Sequence, residues 1–205
     1  MAYDTLASKE TIEAVIPKLK ERNIEAEFVE TKDAALARIK ELIPKGASVM
    51  SGSSTTLNEI GFTEFMKSGS HGWNNLKDAI VAEQDPAKQA TLRKDASSAD
   101  YFLGSVHAVA ETGQLVIASA SGSQLPGYAF MSPNIIWVVG TQKIMPDLES
   151  AMNRVREYVL PLEDARMKSV NMGGSVISKW LIYEREPGFS KRKLRVIFVN
   201  EKLGF

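Results

Sequence analysis

A layered α/β domain with a largely parallel sheet is the fold class this sequence predicts, and three observations predict it. Apolar residues recur at helical spacing through residues 8–22 and again from Leu36 to Ile43. Short strand candidates alternate with these helices, and the unbroken apolar run Asn134–Gly140 has the character of a strand buried on both faces. The 205 residues suffice for a full core and favour one domain over 1–205, with 179–205 as a C-terminal strand pair or extension.

The elements follow in order. Residues 8–22 set Ile12, Val15, Ile16 and Leu19 on one helical face, with Ser8 as N-cap. A strand over Glu25–Val29 precedes a helix in which Leu36, Ile39 and Ile43 align before Pro44 and Gly46 stop it, and Ala47–Ser51 is the next strand. Leu57, Ile60 and Phe65 continue a helix that Gly61 is placed to break in two, and residues 68–76 read as loop. Asp85 as cap and Pro86 at the first helical position start a helix ending near Ser98. Asp100–Val109 and Gln114–Ala118 are apolar strands joined through Ala110-Glu111-Thr112-Gly113, a connection short enough for a hairpin, so an antiparallel element is expected. After the small-residue loop Ser119–Gly127 come the central strand Asn134–Gly140 and a helix, Asp147–Val159, with Leu148, Ala151, Met152, Val155 and Val159 on one face. Arg166–Ser178 reads as loop. Lys179–Tyr183 and Leu194–Asn200 are tail strands, and their apolar character makes a homo-oligomer an expectation.

Composition removes whole classes of function. With 25 basic and 25 acidic residues there is no global field to recruit nucleic acid or an anionic membrane, so neither is expected as a partner. The absence of cysteine excludes disulfides, thiolate catalysis and iron–sulfur clusters held by this chain, and any redox centre must come from another subunit. The segment Met1–Thr5 lacks the basic start and apolar core of a signal peptide, and no apolar run approaches the roughly 20 residues that span a bilayer. A cytoplasmic protein is the expectation.

The strand end Val49-Met50-Ser51 runs into Gly52, Ser53, Ser54, Thr55 and Thr56, where glycine permits a tight turn and hydroxyls and backbone N–H groups converge. Such residues suit an anionic group, or they merely cap the following helix; neither a Walker loop nor a GxGxxG fingerprint is present, and no cofactor is expected. Glu111 is the candidate catalytic residue, with Thr112 and Gly113 beside it. A carboxylate near an apolar sheet end has its ionised form disfavoured and suits acid–base work or attack on an activated acyl group, although a solvated hairpin position is the plainer alternative. Gly122 and Ser123 represent the small-residue loop that would line the same pocket. Glu59 serves either a capping role or the pocket. His71 and His107 are too isolated to predict a metal, and His107, inside an apolar strand, reads as a satisfied sheet residue. Arg185 and Lys191-Arg192-Lys193 are an anion clamp only if the tail folds over the pocket.

The order Gly52-Ser53-Ser54-Thr55, Glu59-Ile60-Gly61, Ala110-Glu111-Thr112-Gly113, then Leu125-Pro126 before Ile135-Ile136-Trp137-Val138-Val139, resembles the LUD-domain family of the lactate utilization protein C type over roughly residues 10–160. The resemblance implies a Rossmann-like three-layer sandwich, the fold shared by ribose-5-phosphate isomerase, glucosamine-6-phosphate deaminase and the CoA transferases. It implies a part in oxidising lactate to pyruvate beside iron–sulfur partner subunits. Isomerases of that fold bind sugar phosphate on a loop similar to Gly52–Thr56, and CoA transferases carry a catalytic glutamate in a turn that resembles Glu111-Thr112-Gly113. The tail departs from the family, since Glu186-Pro187-Gly188-Phe189 stands where a histidine turn is expected, which suggests a stand-alone variant. The resulting expectation is a protein that binds a small organic anion, a phosphate or acyl ester, between Gly52–Thr56 and Glu111. The alternative is a non-catalytic ligand-sensing or assembly subunit of a redox complex.

Overall fold

The computed structural model describes residues 3–205; Met1 and Ala2, the start of the segment weighed above as a leader, lie outside the described residues. Among the described residues ten strands form two sheets: β1 (Ile24–Val29), β2 (Ser48–Ser51), β3 (Asn74–Asn75), β4 (Tyr101–Gly104), β5 (Ala108–Ala110), β6 (Leu115–Ser119), β7 (Asn134–Gly140), β8 (Ile144–Met145), β9 (Lys179–Tyr183) and β10 (Lys193–Val199). Six build a parallel sheet in the order β1-β10-β7-β4-β2-β3, and four build a smaller mixed sheet in the order β8-β5-β6-β9. The sandwich is Rossmann-like, and the antiparallel element is the β5–β6 hairpin, with Ala108 opposite Val116.

The periodicities explain the layers. On one face of the large sheet, Val49, Leu103, Ile136, Val138 and Ile197 meet α2 (Lys32–Leu42), α3 (Thr55–Glu59) and α4 (Phe62–Lys67). Phe102, Ile135, Trp137, Val139, Val196 and Phe198 alternate with them and face α1 (Lys9–Lys20) and the inner side of the small sheet. The outer side of the small sheet, through Ala108, Val116 and Ala118, is closed by Ala151, Val155 and Val159. β7 is buried on both faces because it lies inside the sheet between β10 and β4, as its unbroken apolar run requires. Ser8 accepts from the Thr11 N–H to cap α1, and Gly61, at φ 78°, separates α3 from α4.

Four expectations need correction. The run 100–109 is two strands, because the chain leaves the large sheet at Ser105 and joins the small one where the His107 N–H bonds the Val116 carbonyl. After the expected loop, Asn75 caps a further helix, α5 (Leu76–Ala82), which precedes α6 (Pro86–Asp95). The helix beginning as α7 (Leu148–Arg154) does not stop at Val159; a π-turn over Val155–Val159 carries it into α8 (Leu160–Ser169), accommodating Pro161, which has no N–H to donate. The tail strands do not pair with one another: β9 joins β6, whereas β10 inserts between β1 and β7 with Leu194, Val196, Ile197, Phe198 and Val199 buried. That insertion leaves β9, at the edge of the small sheet, as the one tail strand with an unpaired side.

Candidate functional site

Because β2, β4 and β7 are parallel, their carboxyl ends meet at one edge of the sheet, where ligands of open α/β sheets bind. A cavity of ≈ 520 Å³ opens there. Three consecutive strand ends supply its floor: Gly52–Thr56 after β2, Ser105–His107 after β4, and Lys143 in the turn after β7. The carboxyl end of β6 adds Ser119, Ala120, Ser121, Ser123 and Gln124. The far wall is apolar, with Val155, Val159, Leu160 and Met167 from the α7–α8 helix and Met172, Val176 and Ile177 from the segment after it. At the rim Arg166 grips Glu163 in a bidentate ion pair, both bonds at 2.7 Å.

Lys143 is the centre of the polar side. It is only 3% exposed, and its Nζ donates to Thr56 Oγ1 at 3.1 Å, Ser105 Oγ at 3.2 Å and the Val106 carbonyl at 3.3 Å. The turn that carries it is pinned: Gln142 Nε2 donates to the Leu203 carbonyl at 2.8 Å, and a Cβ on Gly140 would stand 2.2 Å from Gln142 Oε1 and 2.7 Å from the Glu201 carbonyl. Burial pushes the Lys143 ammonium down to about 7, the Arg154 guanidinium pushes in the same direction, and Glu59 opposes them. Among the described residues no carboxylate pairs with it.

His107 sits beside this lysine. Its Nδ1 accepts the Ala118 N–H at 3.2 Å, which leaves the ring proton on Nε2. Desolvation, followed by the positive charges of Lys143 and Arg154, holds it at about 3, so the ring is neutral at ordinary pH. Behind it the fully buried Arg154 donates from Nη1 to the His107 carbonyl at 2.6 Å and from Nε to the Tyr3 carbonyl at 3.1 Å. Tyr128 reaches the cavity from the opposite side over Gly104, where any Cβ would collide with its hydroxyl at 1.7 Å.

The predicted site residues divide into two groups. Gly52, Ser53, Ser54, Thr55, Thr56 and Ser123 line the cavity, and Gly122 stands between two lining residues with its N–H donated to Ser119 Oγ. Ser54 also caps α3, accepting the Leu57 N–H at 3.3 Å. Glu111, Thr112 and Gly113 are not brought to the cavity. They occupy the turn at the other end of β6, where Arg22 Nε holds the Thr112 carbonyl at 2.9 Å and the Glu111 N–H bonds the Met145 carbonyl. Glu59 instead accepts the Gly204 N–H at 2.6 Å, fastening the C-terminal segment. His71 packs on Trp73 and Phe65, away from the cavity. Arg192 binds the Tyr128, Ala129 and Ser132 carbonyls and pairs with the buried Glu186, so it braces the segment that delivers Tyr128 rather than clamping an anion. Sequence reasoning missed Lys143 and Ser105. Their signal is positional: Ser105 directly follows β4, the parallel neighbour of β2, and Lys143 lies in the turn after β7, the next parallel strand.

Among the described residues no group of three or more His, Cys, Asp and Glu is placed to hold a metal ion, and no helix is long and apolar enough to cross a membrane. The crystal structure of a DUF162 family protein from Deinococcus radiodurans is similar in fold, with a TM-score of 0.57 and 14% identity over 96% of this chain and 100% of that one. No curated protein matches. The LUD domain sequence pattern matches residues 12–180, which takes in every strand-end segment that floors the cavity. A match over well above half of the 205 residues settles the relationship: the chain belongs to the LUD-domain family, which is associated with lactate utilization.

Proposed function

We propose that the cavity binds a small organic anion, with Lys143 as its counter-charge and the family's lactate-related chemistry as its setting. One observation carries this reading: a buried ammonium on the floor of a ≈ 520 Å³ cavity, bonded only to neutral oxygens. A cation so placed has lost its hydration without gaining an opposite charge, and an anion in the cavity supplies what is missing. The volume falls within the roughly 300–1,000 Å³ of small-molecule sites and exceeds what a three-carbon acid alone fills. The apolar wall of Val155, Val159 and Met167 therefore favours an anion with a carbon skeleton, such as a hydroxy or oxo acid or an acyl ester, over inorganic phosphate.

The test is calorimetric titration and thermal shift with lactate, pyruvate, inorganic phosphate and a short acyl phosphate, each organic acid paired with its neutral amide. Binding stabilises the fold by mass action, so the acid should raise Tm and the amide should not. Lys143→Met should abolish the shift. If no anion stabilises the wild type, or the variant binds as well, the reading falls.

A second reading, an assembly subunit for iron–sulfur partners, is favoured by Phe130 and Phe189, 81% and 90% exposed, which lie on two segments tied together through Arg192. Exposed aromatic surface of that kind suits protein contact, and a cysteine-free chain would draw its redox centre from such a partner. Phe130→Ser with Phe189→Ser should then abolish co-purification with those partners while leaving anion binding intact.

A further inference from the structure

Lys143 is the one buried lysine among the described residues; the others are exposed or half-buried. Burying an amine is costly unless it is paired, and lysines kept in such places serve as bases and carbonyl nucleophiles more readily than as structural charges. Its surroundings fit the second use. Two hydroxyls, Thr56 Oγ1 and Ser105 Oγ, touch Nζ at 3.1 and 3.2 Å and can pass protons, and no carboxylate bonds it to fix the charge. His107 faces the same cavity, and its Nε2–H has no partner among the described residues, so it can hold an acid group while the lysine meets the neighbouring carbon.

We propose that Lys143 forms a reversible imine with a 2-oxo acid held in this cavity, an inference that rests on the anion-binding reading and names its substrate class. The ammonium first releases one proton to solvent. The neutral Nζ then attacks the keto carbon, the C–N bond forms as the C=O π pair moves onto oxygen, and an N–H proton passes through the Ser105 or Thr56 hydroxyl to that oxygen. The resulting carbinolamine loses its hydroxyl, which takes the second N–H proton by the same route and departs as water. Amine and ketone become imine and water, and no oxidant or reductant takes part. The carboxylate stays intact against His107 Nε2–H and the hydroxyls of Ser53 and Thr55. Depressed basicity of Lys143 supports the step by supplying free amine near neutral pH.

Borohydride trapping tests it. The full chain is incubated with pyruvate, reduced, and read by intact mass and peptide mapping, with Tm recorded on the same samples before reduction. The expected result is one added pyruvate-derived group, mapped to Lys143, with a yield that rises as pH passes through about 7 and that disappears in Lys143→Arg and Lys143→Met. Mapping on the wild type places the adduct even if a variant fails to fold. A chain stabilised by pyruvate but unlabelled at Lys143, or labelled only on exposed lysines, overturns the imine and leaves anion binding standing. A chain neither stabilised nor labelled by pyruvate, glyoxylate and 2-oxobutyrate loses the imine, and it loses anion binding as well when lactate and the acyl phosphate also leave Tm unchanged.

Discussion

The turn after β2 and the turn between β5 and β6 both combine a glycine with polar residues at a strand end, and they use the glycine for different purposes. At Gly52 an added Cβ would come no closer than 3.8 Å, to Gln124 Cβ, so the backbone borders open space that remains as cavity. At Gly113, with φ 95°, the same atom would stand 2.8 Å from Arg22 Nε and 3.0 Å from the Lys18 carbonyl. There the glycine is needed because protein fills the space: Arg22 bonds the Thr112 carbonyl and, at 2.6 Å, the Glu184 carbonyl, joining α1, the hairpin and the end of β9. A glycine turn marks a ligand site when the room it makes stays empty, and a joint when another element occupies it.

Replacing Lys143 sharpens that contrast most. Lys143→Met removes the one charge bonded at the cavity floor among the described residues, and losing one partner of a desolvated charge pair costs about 2–5 kcal/mol, so affinity for the organic anion should fall by about 30-fold or more in calorimetry. The unliganded variant should keep or raise its Tm, because a buried cation with no counter-charge is replaced by an apolar chain of similar length. A variant that binds normally would remove the distinction between the two turns.

The next effect is in pH. Lys143 gives up its proton in the free protein near 7, so affinity for an anion without a keto group, such as lactate, should fall by about tenfold per unit as pH rises above that value, until the raised basicity of the liganded lysine is reached. Arg154 and Glu59 act on the same lysine in opposite senses, and His107 stays neutral throughout. Stability of the free protein runs the other way. A lysine whose folded value lies below its unfolded 10.5 leaves the unfolded chain holding more protons, so stability should rise between about pH 7 and 10.5. The same rule for His107, held at about 3 against 6.5, predicts stability lost on acidification across that interval. Denaturant midpoints measured with and without the anion separate the opposing slopes.

How much of this was legible follows from locality. The first two helices, the strand at 134–140 and the Gly52–Thr56 turn are written in short-range periodicity and turn chemistry, and they stand where those patterns place them. Residues whose role depends on which strands are neighbours were not legible. Lys143 becomes a cavity residue only because β7 lies beside β4 and runs parallel to it, and β10 becomes central only by inserting between strands 59 and 170 residues distant in the pairings Val196 with Trp137 and Phe198 with Phe28; its own apolar run would suit an edge or a centre equally. His107 was half legible. Its satisfied Nδ1 agrees with that reading, whereas the residue itself precedes β5 rather than lying in a strand, and its place above the cavity arises from the chain crossing between sheets at Ser105.

Gly113→Ala probes the joint. Alanine at φ 95° is strained and meets Arg22 and the Lys18 carbonyl, so stability should drop by about 1–3 kcal/mol in urea unfolding while anion affinity stays within twofold. A matching loss of affinity would mean that the turn and the cavity are coupled through β6.

Glu111→Gln carries the smallest expected effect and isolates the side chain from the turn. The substitution keeps size and the backbone bond from the Glu111 N–H to the Met145 carbonyl, and it removes only a charge that lies outside the cavity. Changes at such positions usually stay within about 0.5 kcal/mol, so urea midpoint, anion affinity and borohydride trapping should all match the wild type. Loss of any of the three would restore Glu111 as a participant and require the hairpin end to approach the strand-end cavity during function, because β6, five residues long, separates the two places in the structure.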